Sequence, residues 1–354
     1  MFTLTAVEML MNRNIEVKLL CYPDSQIHKG ALDRSIKCFP LKAASYFHPS
    51  EIMKLARLFR EKNFDIAHTQ ASKDLWIIVP ALKLSGSRAP LFITKQVGSF
   101  IIKKDFLHRF IYNRVDTAFA ISRVIKNNLI ESTPLSEDKI EILHNGIVID
   151  KFNPPNARRT QVRNEFGIDK EEIVIGMLAR FSWGKGHEEF LFAAKELVEK
   201  YDNSKFMIVG EPSRGEDEYA RKIKALARNY QLADRVIFTG FRADTPDVLS
   251  AMDIFAFPSH SEAFGIALVE AMAMGLPCVC SNSDGVLDIA IDGKTSFLFE
   301  KQNGEDLKNK LSRLLEDKEL RNKFGKNARE RVLNNFDIEL LTDKVITYYR
   351  NSIR

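Results

Sequence analysis

Residues 259–281 read SHSEAFGIALVEAMAMGLPCVCS, and this stretch decides the fold. It overlaps a short apolar run of strand length, IFAFPS (254–259), and ends in another, PCVCSN (277–282). Between them the spacing predicts a helix over 265–274. Two strands joined through a helix make the unit of a parallel α/β sheet. Glu262 falls just past the first strand, Gly265 opens the helix, and Glu270 lies on its second turn. Backbone N–H groups at a helix start, together with the positive end of its dipole, favour a phosphate. A carboxylate on the second turn would accept hydrogen bonds from ribose hydroxyls, and one on the loop would meet a sugar hydroxyl beyond the phosphates. Taken alone, two such glutamates are weak evidence, because many surface helices carry a similar pair.

The same alternation runs outward in both directions. Strands are expected at 172–181, 205–211 and 235–241, and helices at 187–201, 215–231, 245–251, 304–317 and 318–334. In the first half, strands are expected at 15–22, 65–70, 90–96, 117–122 and 139–146. Helices there fit 49–63, 75–86 and 122–132, with Ser50 and Ser122 as N-caps. NPPNARRT (153–160) is rich in Pro and Asn and is the expected linker, giving domains of 1–150 and 151–336. The closing stretch NFDIELLTDKVITYYRNSIR has an amphipathic helical pattern over 337–354 that suits either domain.

Composition agrees with a globular enzyme of more than one core: 354 residues, 45% hydrophobic and 28% charged. No apolar run approaches the roughly 18–20 residues that span a bilayer. The opening MFTLTAVEMLMNRN lacks the parts of a secretory signal. Cys21, Cys38, Cys278 and Cys280 show no metal-ligand or redox spacing, and the last two alternate as on one strand face. Reduced, buried thiols in a cytoplasmic protein are expected. Net charge is +5, but residues 1–150 carry +6 and residues 151–354 carry −1. The excess includes Lys95, Lys103, Lys104, Arg109, Arg114, Arg123 and Lys126. It would attract an anionic acceptor or the anionic face of a membrane, although a solvated basic surface explains it equally well. No aromatic–basic interleaving or nucleic-acid motif is present, so no nucleic-acid partner is expected.

A second motif, LARFSWGKG (178–186), supplies cations. A strand ends at Arg180 and a Gly-rich turn presents Lys185; a bidentate fork and a point charge on one loop suit a diphosphate. Both motifs fall at carboxyl ends of strands, where open α/β sheets bind ligands.

Together these strings resemble the retaining glycosyltransferases of family 4, which carry a Glu-x7-Glu motif after a GxxxR-x-x-x-x-K loop. The resemblance covers residues 65–340 through DIAHTQ, AISRVIKNNL, ILHNGIVIDKF, GMLARFSWGKG, VGE, VIFTGFRAD and the run from MDIFAFPS to PCVCS. It implies a GT-B fold, two Rossmann-like doubly wound parallel-sheet domains facing across a cleft and closing about a hinge at 146–158. It implies that Arg180 and Lys185 hold the donor's phosphates, that Glu262 orients the donor sugar and that Glu270 holds the ribose. Amides of Phe264, Gly265 and Ile266 would meet the pyrophosphate or sugar, and Phe241 and Arg242 would grip the base. The implied reaction moves a sugar, with retention and without a metal, from a nucleotide-diphosphate sugar (a UDP-sugar by family frequency) to a glycan or lipid-linked acceptor. Cell-surface polysaccharide assembly at the inner membrane face is the setting suggested by the basic first half.

Three departures stand out. Where the family has a His after its PLFIT-like strand, this chain has ITKQVGSF, putting Gln96 or Lys95 in that place, with His68 on an earlier strand end. Asp288 and Ser296 replace a Glu and a Gly, and Ser283–Leu287 would approach the donor sugar. FTLTAVEMLMNRN already reads as the family's first helix, which by analogy places roughly 15–25 residues, a strand and a Gly-rich loop, before it. The alternatives are a catalytically silent nucleotide-sugar- or glycan-binding protein and a sugar-nucleotide epimerase of similar shape. The Glu-x7-Glu string argues against the epimerase.

Overall fold

The computed structural model describes residues 2–42 and 48–353. The chain forms two compact units, one of residues 1–145 with 338–354, the other of residues 146–337.

The first unit opens with α1 (Phe2–Met11), β1 (Leu19–Cys21), α2 (Gln26–Leu32) and β2 (Cys38–Pro40). It continues through α3 (Pro49–Glu61), β3 (Ala67–Thr69), α4 (Leu75–Ser85) and β4 (Leu91–Lys95). After these come α5 (Phe106–Tyr112), β5 (Thr117–Ala120), α6 (Arg123–Ser132) and β6 (Ile140–Ile142). All pairings are parallel, yet the strands form two sheets: β1-β2 and β3-β4-β5-β6. The same helices cover both. On one face α1 meets β1 through Leu4 and Val7 and reaches the Phe92–Phe119 cluster through Leu10. On the other, Leu55 of α3 and Ile77 of α4 share a cluster with Leu20 of β1. Among the described residues no strand bridges the two sheets.

Ser122 caps α6, its hydroxyl accepting from the Ile125 amide. Ser50 does not cap α3. Pro49 is already helical and His48 holds the cap position, because proline's fixed φ suits the first helical residue.

The second unit runs α7 (Arg159–Glu165), β7 (Ile173–Leu178), α8 (His187–Val198), β8 (Ser204–Val209) and α9 (Asp217–Asn229). Next are β9 (Val236–Gly240), α10 (Thr245–Ser250), β10 (Ile254–Phe257), α11 (Ile266–Ala273) and β11 (Cys278–Ser281). It closes with α12 (Val286–Ile289), β12 (Ser296–Phe299), α13 (Gly304–Glu316) and α14 (Lys318–Asn335). Its single parallel sheet has the order β12-β11-β10-β7-β8-β9. IFAF and CVCS are buried at every position, as strands covered on both faces must be. All four cysteines are unbridged thiols.

The expected linker, residues 153–160, lies inside this unit. Arg158 pairs with Asp247 at 2.7 Å and Arg159 with Asp253 at 2.7 Å, fixing the stretch to α10 and the start of β10. The contact boundary falls between Asn145 and Gly146, upstream of the proline cluster.

The last helix, α15 (Ile338–Ser352), belongs to the first unit. Tyr349 packs edge-on against Phe92 of β4 at 5.0 Å, and Arg13 holds the helix through Glu339 and Asp343. No described helix is long and apolar enough to cross a membrane.

Candidate functional site

In the second unit the chain winds outward from β7 through β8 to β9, then returns to β10 on the other side of β7. The carboxyl ends of β7 and β10 therefore flank a topological switch point, the place where open parallel sheets take ligands. Arg180 and Lys185 follow β7, and Glu262 follows β10. They meet there: Lys185 Nζ donates to Glu262 Oε1 at 2.6 Å, both side chains about four-fifths buried. Arg180 Nη1 reaches Ser213 Oγ on the loop after β8 at 3.0 Å, leaving much of its fork exposed.

Glycines bring these loops together. Gly186 has φ +79°, and a Cβ there would stand 2.2 Å from the Pro258 carbonyl oxygen. The His260 amide donates to the Gly184 carbonyl at 2.8 Å, so the two loops are also zipped by backbone. Gly285 donates to the Glu262 carbonyl at 3.0 Å and has no room for a Cβ against Ala263.

Gly265, at φ +120°, is the N-cap of α11 and offers no side chain to cap the first amides of that helix. Ile266 is exposed beside it, whereas Phe264 is buried and packs edge-on against Phe336 at 5.8 Å. Glu270 lies one turn in. Burial without a charged neighbour pushes its carboxyl up to about 7. Phe241, beyond β9, is 66% exposed and free to stack. Arg242 is not free: its guanidinium is held by Glu165 and, at 2.7 Å, by Asp244, which also raises its pKa. Phe241 is the exposed member of this pair, while the fork of Arg242 is engaged in ion pairs within its own unit.

The remaining expected residues lie in the first unit. His68 is half-buried beside Phe92, Phe119 and Tyr349. Its Nε2 lies 2.8 Å from Thr94 Oγ1, its Nδ1 contacts the Tyr349 hydroxyl, and burial pushes its pKa down to about 4. Both of its nitrogens are thus engaged within the first unit. Lys95 Nζ donates to Ser72 Oγ at 3.1 Å, and burial with the nearby charge of Lys103 lowers its ammonium to about 8. Gln96 Oε1 accepts from Asn145 Nδ2 at 3.0 Å, while Gln96 Nε2 is buried with no partner among the described residues.

Sequence reading missed four participants. His260 Nε2 sits 2.8 Å from Glu189 Oε1 on α8, bracing the loop that carries Glu262. Trp183 stands exposed, edge-on to His260 at 5.7 Å. Ser261 donates to Asp284 at 2.5 Å, fixing the loop before α12. His187 stacks on Phe181 at 4.7 Å with both nitrogens buried and unpartnered among the described residues. The string SHSE held the signal for the first, but its partner Glu189 is 71 positions away. Among the described residues no cluster of three or more His, Cys, Asp or Glu could hold a metal.

Comparison with known proteins completes the assignment. Residues 1–151 match the family described as Glycosyltransferase Family 4, and residues 158–331 match Glycosyl transferases group 1. One relative is the UDP-Gal:alpha-D-GlcNAc-diphosphoundecaprenol alpha-1,3-galactosyltransferase of Escherichia coli, 27% identical over 98% of this chain and 92% of its own. Another is the N,N'-diacetylbacillosaminyl-diphospho-undecaprenol alpha-1,3-N-acetylgalactosaminyltransferase of Campylobacter jejuni, also 27% identical, over 100% and 96%. Among solved structures, a glycosyltransferase from Rickettsia africae superposes with a TM-score of 0.89 at 23% identity, covering 100% of this chain and 94% of that one. Anabaena HepE in complex with UDP and glucose gives 0.80 at 20% identity, covering 98% and 95%. Both halves match, the sheet order matches a GT-B fold, and the switch point carries the expected loops. The chain is a glycosyltransferase and belongs to family 4.

Proposed function

We propose that this protein transfers a sugar, with retention, from a UDP-sugar to a lipid-linked diphosphate acceptor in cell-surface polysaccharide assembly, at the cytoplasmic face of the membrane. The observation that carries the donor assignment is the convergence of Lys185 and Glu262 at 2.6 Å on the switch point. The two relatives named above act, by their names, on diphosphoundecaprenol-linked sugars, and one uses UDP-Gal; these names support the acceptor class and the donor nucleotide.

Each residue then has a role. Arg180 and Lys185 bind the donor diphosphate and neutralise the charge that grows as the glycosidic C–O bond breaks. The diphosphate competes with Glu262 for Lys185, so donor entry releases Glu262 to take a hydroxyl of the donor sugar. Glu270 accepts from the ribose hydroxyls, Phe241 stacks on the base, and the amides at Gly265 and Ile266 meet the phosphates or sugar. The acceptor hydroxyl attacks the anomeric carbon on the face the phosphate leaves. Its proton passes to the departing phosphate oxygen, so configuration is kept and no side chain need act as base. Two cations supply the charge that a divalent ion would otherwise bring, and transfer should persist in excess chelator.

A panel of nucleotide sugars tested with a polyprenyl-diphosphate-linked sugar reads this directly. UDP-sugar consumption with an α-linked product is expected. Glu262→Gln should lower kcat by about 10²–10³-fold and Arg180→Ala should weaken donor use by about 10²-fold. Wild-type kinetics in Arg180→Ala would refute the phosphate role. Donor binding without transfer to any acceptor would favour the silent-binder reading.

A further inference from the structure

Half of residues 97–110, VGSFIIKKDFLHRF, are large apolar side chains that the fold leaves in water. Phe100 is fully exposed at 107%, Ile101 and Ile102 at about 70%, Phe106 at 80%, and Leu107 and Phe110 are also exposed. This is costly for a surface in water, and contiguous patches of this kind mark interaction sites. The segment is not loose chain. Asn128 clasps Ser99 with two hydrogen bonds, its Oδ1 accepting from the Ser99 amide at 2.8 Å and its Nδ2 donating to the Ser99 carbonyl at 2.9 Å. The Lys103 amide donates to the Ser132 carbonyl at 2.7 Å, and Asp105 caps α5. The fold therefore holds the apolar side chains outward, while Ile111 and Tyr112 turn the other side of α5 into the core.

Charge decides what would cover them. Lys103, Lys104 and Arg109 are interleaved with the apolar residues, and Lys83 lies over the Phe110 ring at 3.5 Å. The one acid of the segment, Asp105, is occupied by the α5 amides and by His108. Apolar tips among cations that can reach past them fit a bilayer with anionic headgroups, where the rings enter the acyl boundary and the ammonium groups stay at phosphate level.

We propose that residues 97–110 are a membrane-docking surface for an anionic lipid bilayer. The inference deepens the lipid-linked-acceptor reading, on which it rests for its purpose: docking would bring the first unit to the plane where such an acceptor is anchored. The physical claim stands on exposure and charge alone.

The test uses the full chain with vesicles of phosphatidylglycerol and phosphatidylethanolamine, against vesicles of phosphatidylcholine, in co-sedimentation. Wild type should bind the anionic vesicles at least tenfold more tightly than the neutral ones. Phe100→Ser with Ile101→Ser should lose at least tenfold on anionic vesicles at any salt. Lys103→Glu with Lys104→Glu should lose a similar factor at low salt and less at high salt. A UDP titration on each variant checks that the second unit is intact, and unchanged UDP affinity is expected. No binding by wild type, or equal binding by the Phe100 variant, overturns the proposal. So does sedimentation velocity that shows the apolar face joining two copies of the chain, with no vesicle binding. Failure of the transferase reading would appear separately, as no transfer to a lipid-linked acceptor while vesicle binding persists.

Discussion

Glu270 combines burial with the ribose-binding role proposed for it, which the ionised form would serve best. Its carboxyl stands near 7 against an ordinary 4.5, with desolvation as the cause. Between those values the folded unit keeps a proton that the unfolded chain has released, so stability falls as pH rises through the window. Above pH 7 the full cost is about 3 kcal/mol, at roughly 1.4 kcal/mol per unit. Glu270→Gln should therefore raise the Tm of the second unit at pH 8 and leave it unchanged near pH 4.5, as read by calorimetry. Ribose hydroxyls favour the ionised form, so UDP affinity should fall as pH drops below 7, by up to about tenfold per unit. The glutamine variant should bind UDP more weakly and lose that pH dependence. If UDP affinity in wild type is flat from pH 5.5 to 8, the ribose role is wrong.

Gly186 poses the opposite problem, since its role is to be small. An alanine there would need φ +79° and would drive its Cβ into the Pro258 carbonyl. Gly186→Ala should cost at least about 2 kcal/mol and displace Lys185 from Glu262, lowering Tm and donor affinity together. The glycine itself was legible in the sequence, because the turn after a strand that presents a lysine reads as a phosphate loop. Its neighbour across the gap was not, since Pro258 is 72 positions away. For the same reason the ion pairing of Arg242 is not legible locally: nothing near it announces that Glu165 holds its fork.

At the level of elements, apolar runs bounded by turn residues gave five of the strands of the second unit, β7 to β11. β12 is not legible in the sequence because SFLF is short and follows a polar loop, nor is β2, which ends in a proline. The proline cluster at 153–160 has the composition of a linker, yet arginines fix it to α10 and the start of β10. The placement of α15 was open from periodicity, which shows that a helix has an apolar face but not what meets it. Its anchor is Tyr349, set between Phe92 and His68. Tyr349→Ala should destabilise the first unit by about 3–5 kcal/mol through the cavity left behind. Tyr349→Phe should cost about 1–2 kcal/mol, because His68 Nδ1 then loses its partner in a part-buried site. Denaturant melts would show this order, and an equal cost for both variants would mean the hydroxyl carries the contact.

At the scale of the whole molecule the two units are unequally built. The second has one continuous six-stranded sheet, with its candidate site at the switch point. The first divides its six strands between two sheets. Two thermal transitions are expected by scanning calorimetry, the lower from the first unit. UDP at about 100 times its Kd should stabilise only the upper transition, by about 2.7 kcal/mol. A single transition that moves as a whole would show that the units melt together.

The divided sheet has one further consequence, for backbone protons. In a parallel ladder alternate residues face opposite edges. The Leu19 amide donates to Lys37 and the Ala67 amide to Pro90, so the Leu20 and His68 amides turn away from the paired sides of β1 and β3. Both positions are half-buried, and among the described residues no neighbouring strand pairs with that side of β1 or β3. In deuterated buffer those two amides should exchange orders of magnitude faster than Ile93 or Ala118 in the interior of β4 and β5. The seam through the first unit would then be visible as a line of early-exchanging sites.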